Sequence, residues 1–160
     1  MQIIKIEYEN FLLWRSQIEM LFNSSVRVNF PDADVGESYG KEKCDDVAGF
    51  LQDRTAIVFA AVDGKQLAGW VWCHKIHRLD GNRLHIAEIA VDDNFHRRGI
   101  GSQLLEKVER YAAENGYQAI DLLVTAYNTS AVKFYKRANF EPERYLMKKV
   151  IGKNLNIQER

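Results

Sequence analysis

Cysteine, proline and unbroken apolar stretches are scarce in this chain, and neither sign of charge prevails. The two cysteines, Cys44 and Cys73, have no CxxC partner and no histidine at zinc-site spacing, which excludes a disulfide framework and leaves no metal expected. They read as buried or half-exposed thiols. Only two prolines occur, and no internal repeat or low-complexity segment is visible. No stretch approaches the ~20 apolar residues that cross a bilayer, so no membrane partner is expected. Lysine plus arginine and aspartate plus glutamate number 22 each; without a net positive field, nucleic acid is not expected as a partner either. The opening "MQIIKIEYENFLLW" has Glu7 and Glu9 where a secretory leader needs a basic end and then apolar residues. A cytoplasmic location is therefore expected, and the sequon at Asn128-Thr129-Ser130 is discounted.

What is present is 46% apolar and 28% charged residue over 160 positions, the proportions of one soluble domain with one core. The domain is expected over residues 1–150, with 151–160 as a C-terminal tail. "QIIKIEY" reads as a strand and "NFLLWRSQIEMLF" as a helix capped by Asn10. From Asn23 to Lys43 the chain is polar and holds Pro31, Gly36 and Gly40, the pattern of a long irregular loop. "CDDVAGFLQD" follows as a short helix. Two β-rich runs joined through Asp63-Gly64 form a hairpin, and "RLHIAEIAVD" is the third strand of a meander. From Ser102 the apolar residues Leu104, Leu105, Val108, Tyr111 and Ala112 follow a helical period that ends at Asn115-Gly116. "QAIDLLV" then reads as a buried strand, "NTSAVKFYKRAN" as a helix, and "RYLMKKVI" as a final strand.

The stretch "HRRGIG", His96 to Gly101, stands where the third meander strand gives way to the long helix. A helix start offers unpaired N–H groups and the positive end of the helix dipole, and glycines let a bulky anion approach the backbone. The alternative is a tight turn with Arg97 and Arg98 solvated. A Walker A loop is excluded because no lysine followed by serine or threonine comes after the glycines. A Rossmann fingerprint fails because Leu104 stands at its third glycine.

The longer segment "AEIAVDDNFHRRGIGSQLLEKVERYA" resembles the acetyl-CoA-binding core of the GCN5-related N-acetyltransferases (GNAT). The family pattern is glutamine or arginine, two residues, glycine, one residue, then glycine or alanine. His96 replaces the first residue; Gly99 and Gly101 match. Downstream, "NTSAVKFYKRANF" resembles a second family element through Asn128, Ala131, Phe134, Tyr135 and Phe140, with Asn139 at the usual glycine. Together they span about a third of the chain, Ala87 to Phe140. The resemblance implies a single α/β (α+β) domain with a central mixed, mostly antiparallel sheet flanked by about four helices. It also implies that backbone groups of Ile89, Ala90 and Val91 hold the pantetheine arm and acetyl group of acetyl-CoA. The pyrophosphate would fall to His96, Arg97, Arg98, Gly99, Ile100, Gly101 and Ser102, with Asn128 as a further cofactor contact.

Acetyl transfer to an amine requires a proton acceptor for the amine and a proton donor for the departing thiolate. Tyr135 matches the family's donor. Core packing beside Ala131, Phe134 and Ala138 is its other reading. Glu88 sits in the apolar run "HIAEIAV", where a carboxylate is disfavoured unless paired or used. The family places acceptor-side acids at this point of the strand. His85 corresponds to a base position in other members and ranks below Glu88; strict alternation sends the two side chains to opposite faces. A pocket lined by Tyr39, Trp70 and Trp72, with acids among Asp32, Asp34, Glu37, Asp45 and Asp46, is expected to take a small cationic amine such as an amino sugar, aminoglycoside or polyamine. A protein N-terminus or lysine is the alternative acceptor, a non-catalytic acyl-CoA-binding regulator the alternative of another class, and a homodimer an expected assembly.

Overall fold

The computed structural model describes residues 1–151. The tail expected at 151–160 lies, beyond its first residue, outside the described residues. The elements run β1 (Gln2–Ile6), α1 (Tyr8–Asn29), α2 (Tyr39–Gln52), β2 (Ala56–Asp63), β3 (Gln66–Arg78), β4 (Gly81–Val91), α3 (Ile100–Glu114), β5 (Ala119–Leu122) and α4 (Thr129–Arg137). One sheet orders them β1-β2-β3-β4-β5. The first four strands are antiparallel neighbours, and β5 lies parallel to β4. The expected mixed, mostly antiparallel sheet with four helices is what forms.

Each face of the sheet buries its own cluster. Val58, Ala60 and Trp70 meet Phe11, Ile18, Leu21 and Phe22 of α1 and Cys44, Val47 and Leu51 of α2. On the other face Phe59, Val71, Cys73, Leu84 and Ile86 meet Ile100, Leu104, Leu105 and Val108 of α3, with Phe134 and Phe140 packed at the margin. The buried residues of α3 recur at helical spacing, as the period of their sequence requires. No helix among the described residues is long and apolar enough to cross a membrane.

Three local expectations are corrected. The cap of α1 is Glu7, and Asn10 is the third helical residue of a capping box, its side chain accepting from the Glu7 N–H at 2.9 Å. The long loop contracts to residues 30–38, because α1 continues to Asn29 and α2 begins at Tyr39. Gly40, read as a loop signal, marks instead a close crossing of the two helices. Its N–H donates to Asn23 Oδ1 at 2.9 Å, and a Cβ there would collide with the Glu19 carbonyl. Third, "RYLMKKVI" forms no strand: residues 141–151 carry no regular structure and are exposed. Arg83, at the foot of β4, holds Glu143 at 2.6 and 2.8 Å, and the chain beyond it leaves the sheet.

Candidate active site

The site grows from one irregularity in β4. Trp72 of β3 lies opposite Glu88 and the next residue, Cys73, opposite Ile86, so Ala87 is the extra residue of a β-bulge. The bulge corrects the expectation from strict alternation. His85 pairs with His74, and Glu88 with Trp72; since positions 72 and 74 share a face, His85 and Glu88 share it too. It is the face covered by α1 and α2. The rings of His74 and His85 stand 5.2 Å apart and those of Trp72 and His74 5.7 Å.

Glu88 is largely enclosed. Burial raises its carboxyl above the usual range, while the hydroxyl of Ser25 on α1, donating at 2.5 Å, pulls it back. Ser25 belongs to a chain of hydrogen bonds. Asn29 Nδ2 donates to Ser25 Oγ at 3.2 Å, and Asn128 Nδ2 donates to Asn29 Oδ1 at 2.9 Å. Asn128 also caps α4, its Oδ1 accepting from the Ala131 N–H at 3.1 Å. The N-terminus of α4 is thus tied through α1 to the carboxylate on β4.

His85 Nδ1 lies 2.6 Å from Asp121 Oδ1, its Cα partner on β5. With Nδ1–H donating to that carboxylate, Nε2 is left as a proton acceptor. Asp121 also takes Arg78 Nε at 3.3 Å. Sequence reasoning missed Asp121 as a site residue, although a carboxylate within "QAIDLLV" is the same signal as Glu88 within "HIAEIAV". Ser25 and Asn29 carried no signal, being polar residues on a helix then read as loop.

Beyond Ile86 the two parallel strands part. β5 pairs with residues 83–86 only, so Ile89, Ala90 and Val91 have no strand neighbour on that side while β3 holds the other, and among the described residues only the Val91 carbonyl is met there, by the His96 ring. Tyr135 stands nearby. Burial raises its hydroxyl first, the charge of Glu88 next and Cys73 last. Its ring packs edge-on against Phe134 and Phe140, so the core reading of this residue holds alongside any chemical one.

At the top of β4 the turn enters α3 through Gly99 at φ +74°, with Arg97 also left-handed at φ +61°. The first intrahelical bond of α3 is Gln103 N–H to Gly99 O, so the N–H groups of Ile100, Gly101 and Ser102 have no partner within the helix. The Arg98 guanidinium lies over the Phe95 ring at 5.0 Å. His96 Nε2 sits 3.0 Å from the Val91 carbonyl, which turns the imidazole back toward β4.

The three aromatic residues expected to line an acceptor pocket all belong to the cluster under α1 and α2. Tyr39 is half-buried, and burial and the charge of Glu88 push its hydroxyl up, Lys43 opposing them. Trp72 stacks on Phe50 at 5.6 Å, and its Nε1 is a buried donor without a partner among the described residues. Trp70 is fully buried in the core and lines nothing. Asp45 and Asp46 are engaged by Arg15 and Lys43, and Asp32, Asp34 and Glu37 lie in or beside the short loop before α2.

The family model described as Acetyltransferase (GNAT) family matches residues 16–140. The chain belongs to that family. This GNAT domain is 35% identical over 95 residues to an uncharacterized N-acetyltransferase of Methanocaldococcus jannaschii, covering 56% of this chain and 41% of that one. It is 28% identical over 100 residues to N-alpha-acetyltransferase 30 of Xenopus laevis, covering 62% and 37%. The chain thus spans less than half the length of these curated relatives. An aminoglycoside acetyltransferase from an uncultured soil metagenomic sample, solved in complex with sisomicin, shares the fold with a TM-score of 0.72. Its identity is 15%, and 96% of each chain is covered.

Acetyl-CoA, the cosubstrate of the family, fits the residues of the GNAT domain. The free edge of β4 offers amide groups to an extended arm, and the start of α3 offers N–H groups to an anion. At Gly101 a Cβ would meet the Phe134 ring at 3.4 Å, an ordinary contact, in keeping with the glycine or alanine of the family pattern.

Proposed function

We propose that the protein transfers the acetyl group of acetyl-CoA directly to the primary amine of a small cationic molecule. The observation that carries this reading is the placement of Glu88 and His85 on one face of β4, beside the point where β4 and β5 part. Backbone groups of Ile89, Ala90 and Val91 would hold the pantetheine arm. Residues His96 to Ser102 would hold the pyrophosphate, and Asn128 would complete the site while it caps α4. When bound, acetyl-CoA supplies an activated acetyl thioester, whose C–S bond breaks as the new C–N bond forms.

The chain's own residues manage the protons. Glu88 takes the proton that the amine loses, and the Ser25 hydroxyl, by donating to it, favours the ionised form that can do so. His85, oriented by Asp121, is the second candidate base. Tyr135 keeps its phenolic proton at neutral pH and gives it to the departing sulfur. The buried Trp72 Nε1–H beside Glu88 gives a polar acceptor one donor to meet.

A small amine is favoured because Glu88, Trp72 and Tyr39 together offer a carboxylate among aromatic groups, a setting suited to a cation. The structural neighbour's action on aminoglycosides agrees with this acceptor. A polypeptide N-terminus is the competing acceptor, suggested by the N-alpha-acetyltransferase relative. Product masses from amino sugars, aminoglycosides, polyamines and peptides, each incubated with acetyl-CoA, separate the two. Acetylated small amines support the proposal; acetylated peptides alone overturn its acceptor, and acetyl-CoA binding with no product from any amine would mark a regulator.

A further inference from the structure

Asn29 is the last residue of α1 and stands one helical turn beyond Ser25, so the two share a helix face. A side-chain amide donates at one end and accepts at the other, and a serine hydroxyl has a single proton to give. The fixed members at either end therefore settle the order of donors between α4 and Glu88. At one end the Ala131 N–H can only donate, and Asn128 Oδ1 accepts it at 3.1 Å. That leaves Asn128 Nδ2 to donate to Asn29 Oδ1 at 2.9 Å. At the other end the Ser25 carbonyl can only accept, and Asn29 Nδ2 donates to it at 3.1 Å. Both ends impose the same orientation on the Asn29 amide. Asn29 Nδ2 also donates to Ser25 Oγ at 3.2 Å, and the one proton of that hydroxyl is directed at Glu88 Oε1.

A hydroxyl that donates favours a carboxylate over a carboxylic acid. The far end of the order lies on α4, which carries Tyr135 and buries none of its residues fully; the bond from Asn128 to Asn29 ties that helix to α1. Among the described residues, the titratable groups that face Glu88 are Tyr39 of α2, Tyr135 of α4, and His74 and His85 on its own face of the sheet. Burial and the charge of Glu88 raise both tyrosine hydroxyls, which keep their protons wherever a carboxylate titrates. The two histidines act alike in any variants compared, so a difference between variants isolates the hydrogen-bonded chain. α1 meets Glu88 through Ser25, which does not titrate.

We infer that Asn29 is a positioning residue, passing the donor order set at the start of α4 to Ser25 so that Glu88 is held ionised while α4 is seated on α1. The consequence for catalysis rests on the reading of Glu88 as the base. One event, the seating of α4, then readies both the base and Tyr135, the group that gives its proton to sulfur.

Titration of the Glu88 carboxyl by NMR, in the full chain with isotope-labelled glutamate and assigned through Glu88→Gln, tests this without any acetyl transfer. Asn29→Ala should raise the midpoint by about 0.5 pH unit or more, a roughly threefold loss in ionisation constant. In a Ser25→Ala background the same change should move it far less, because Asn29 acts through that hydroxyl. A role confined to closing the end of α1 would lower Tm and leave the midpoint where it is. Asn128→Ser keeps a cap for α4 but loses the amide donor; it should raise the midpoint in the same sense, and it decides if Asn29→Ala does not fold. An unmoved midpoint, or an equal shift with and without Ser25, overturns the inference. A midpoint that moves as expected while the acidic limb of kcat/KM stays put supports the inference and removes Glu88 as the base.

Discussion

Glu88 pays for its position in a way that experiment can read. Its carboxyl is raised by burial, so ionisation costs stability as pH climbs from the ordinary carboxylate range to the raised value in the folded chain. Below that window both states are protonated and the contribution to stability is fully present. Glu88→Gln should therefore raise Tm at neutral pH, by an amount that shrinks toward acid pH, while acetyl transfer falls. Calorimetry across the pH range checks the sign. The Ser25 hydroxyl acts in the opposite direction to burial, so Ser25→Ala should push the Glu88 carboxyl higher still. The acidic limb of the kcat/KM profile then moves to higher pH; an unmoved limb would transfer the role of base to His85. In that event Asp121→Asn should be the damaging change, because an amide can donate to Nδ1 where the carboxylate only accepts, and the His85 tautomer is no longer fixed.

Among the elements, β4 and the strand beside it decide the site's shape. Gly69 of β3 lies opposite Val91, and a Cβ there would stand 2.9 Å from the Ala90 carbonyl. Because backbone is the obstacle, Gly69→Ala should displace the upper part of β4 and cost about 1–3 kcal/mol. Thermal unfolding measures the stability loss, and weaker acetyl-CoA binding should accompany it. The same elements show what the sequence made legible. The α3 period, the Asp63-Gly64 hairpin and the meander were readable because their patterns are local. "HRRGIG" and "NTSAVKFYKRANF" were readable because they match family patterns of fixed spacing, and the family model spans both. The bulge at Ala87 was not, since one extra residue leaves no mark in an apolar run, and with it went the shared face of His85 and Glu88. Gly40 misled because a glycine that breaks a loop and one that admits a neighbouring helix look alike in sequence. Asp121 was legible in principle, as a carboxylate in an apolar run, but its histidine partner lies 36 residues away, and the strand expected to be buried is a half-buried edge strand.

Across the whole molecule, the two core layers carry different halves of the proposed site. α1 and α2 cover the face with Glu88, His85 and Trp72, whereas α3, with the start proposed to bind the pyrophosphate, packs on the other. They meet where β4 parts from β5 and Tyr135 approaches Glu88. The central claim is that this junction performs acetyl transfer, with Tyr135 protonating the thiolate that leaves. The direct measurement is free-thiol release from acetyl-CoA, with and without an amine acceptor, for the wild-type chain and Tyr135→Phe. Wild type should release thiol in step with acetylated amine, and Tyr135→Phe should lose about 10²-fold or more in kcat with acetyl-CoA binding little changed. Equal kcat in the two proteins, or thiol release that no amine accelerates, would contradict the account.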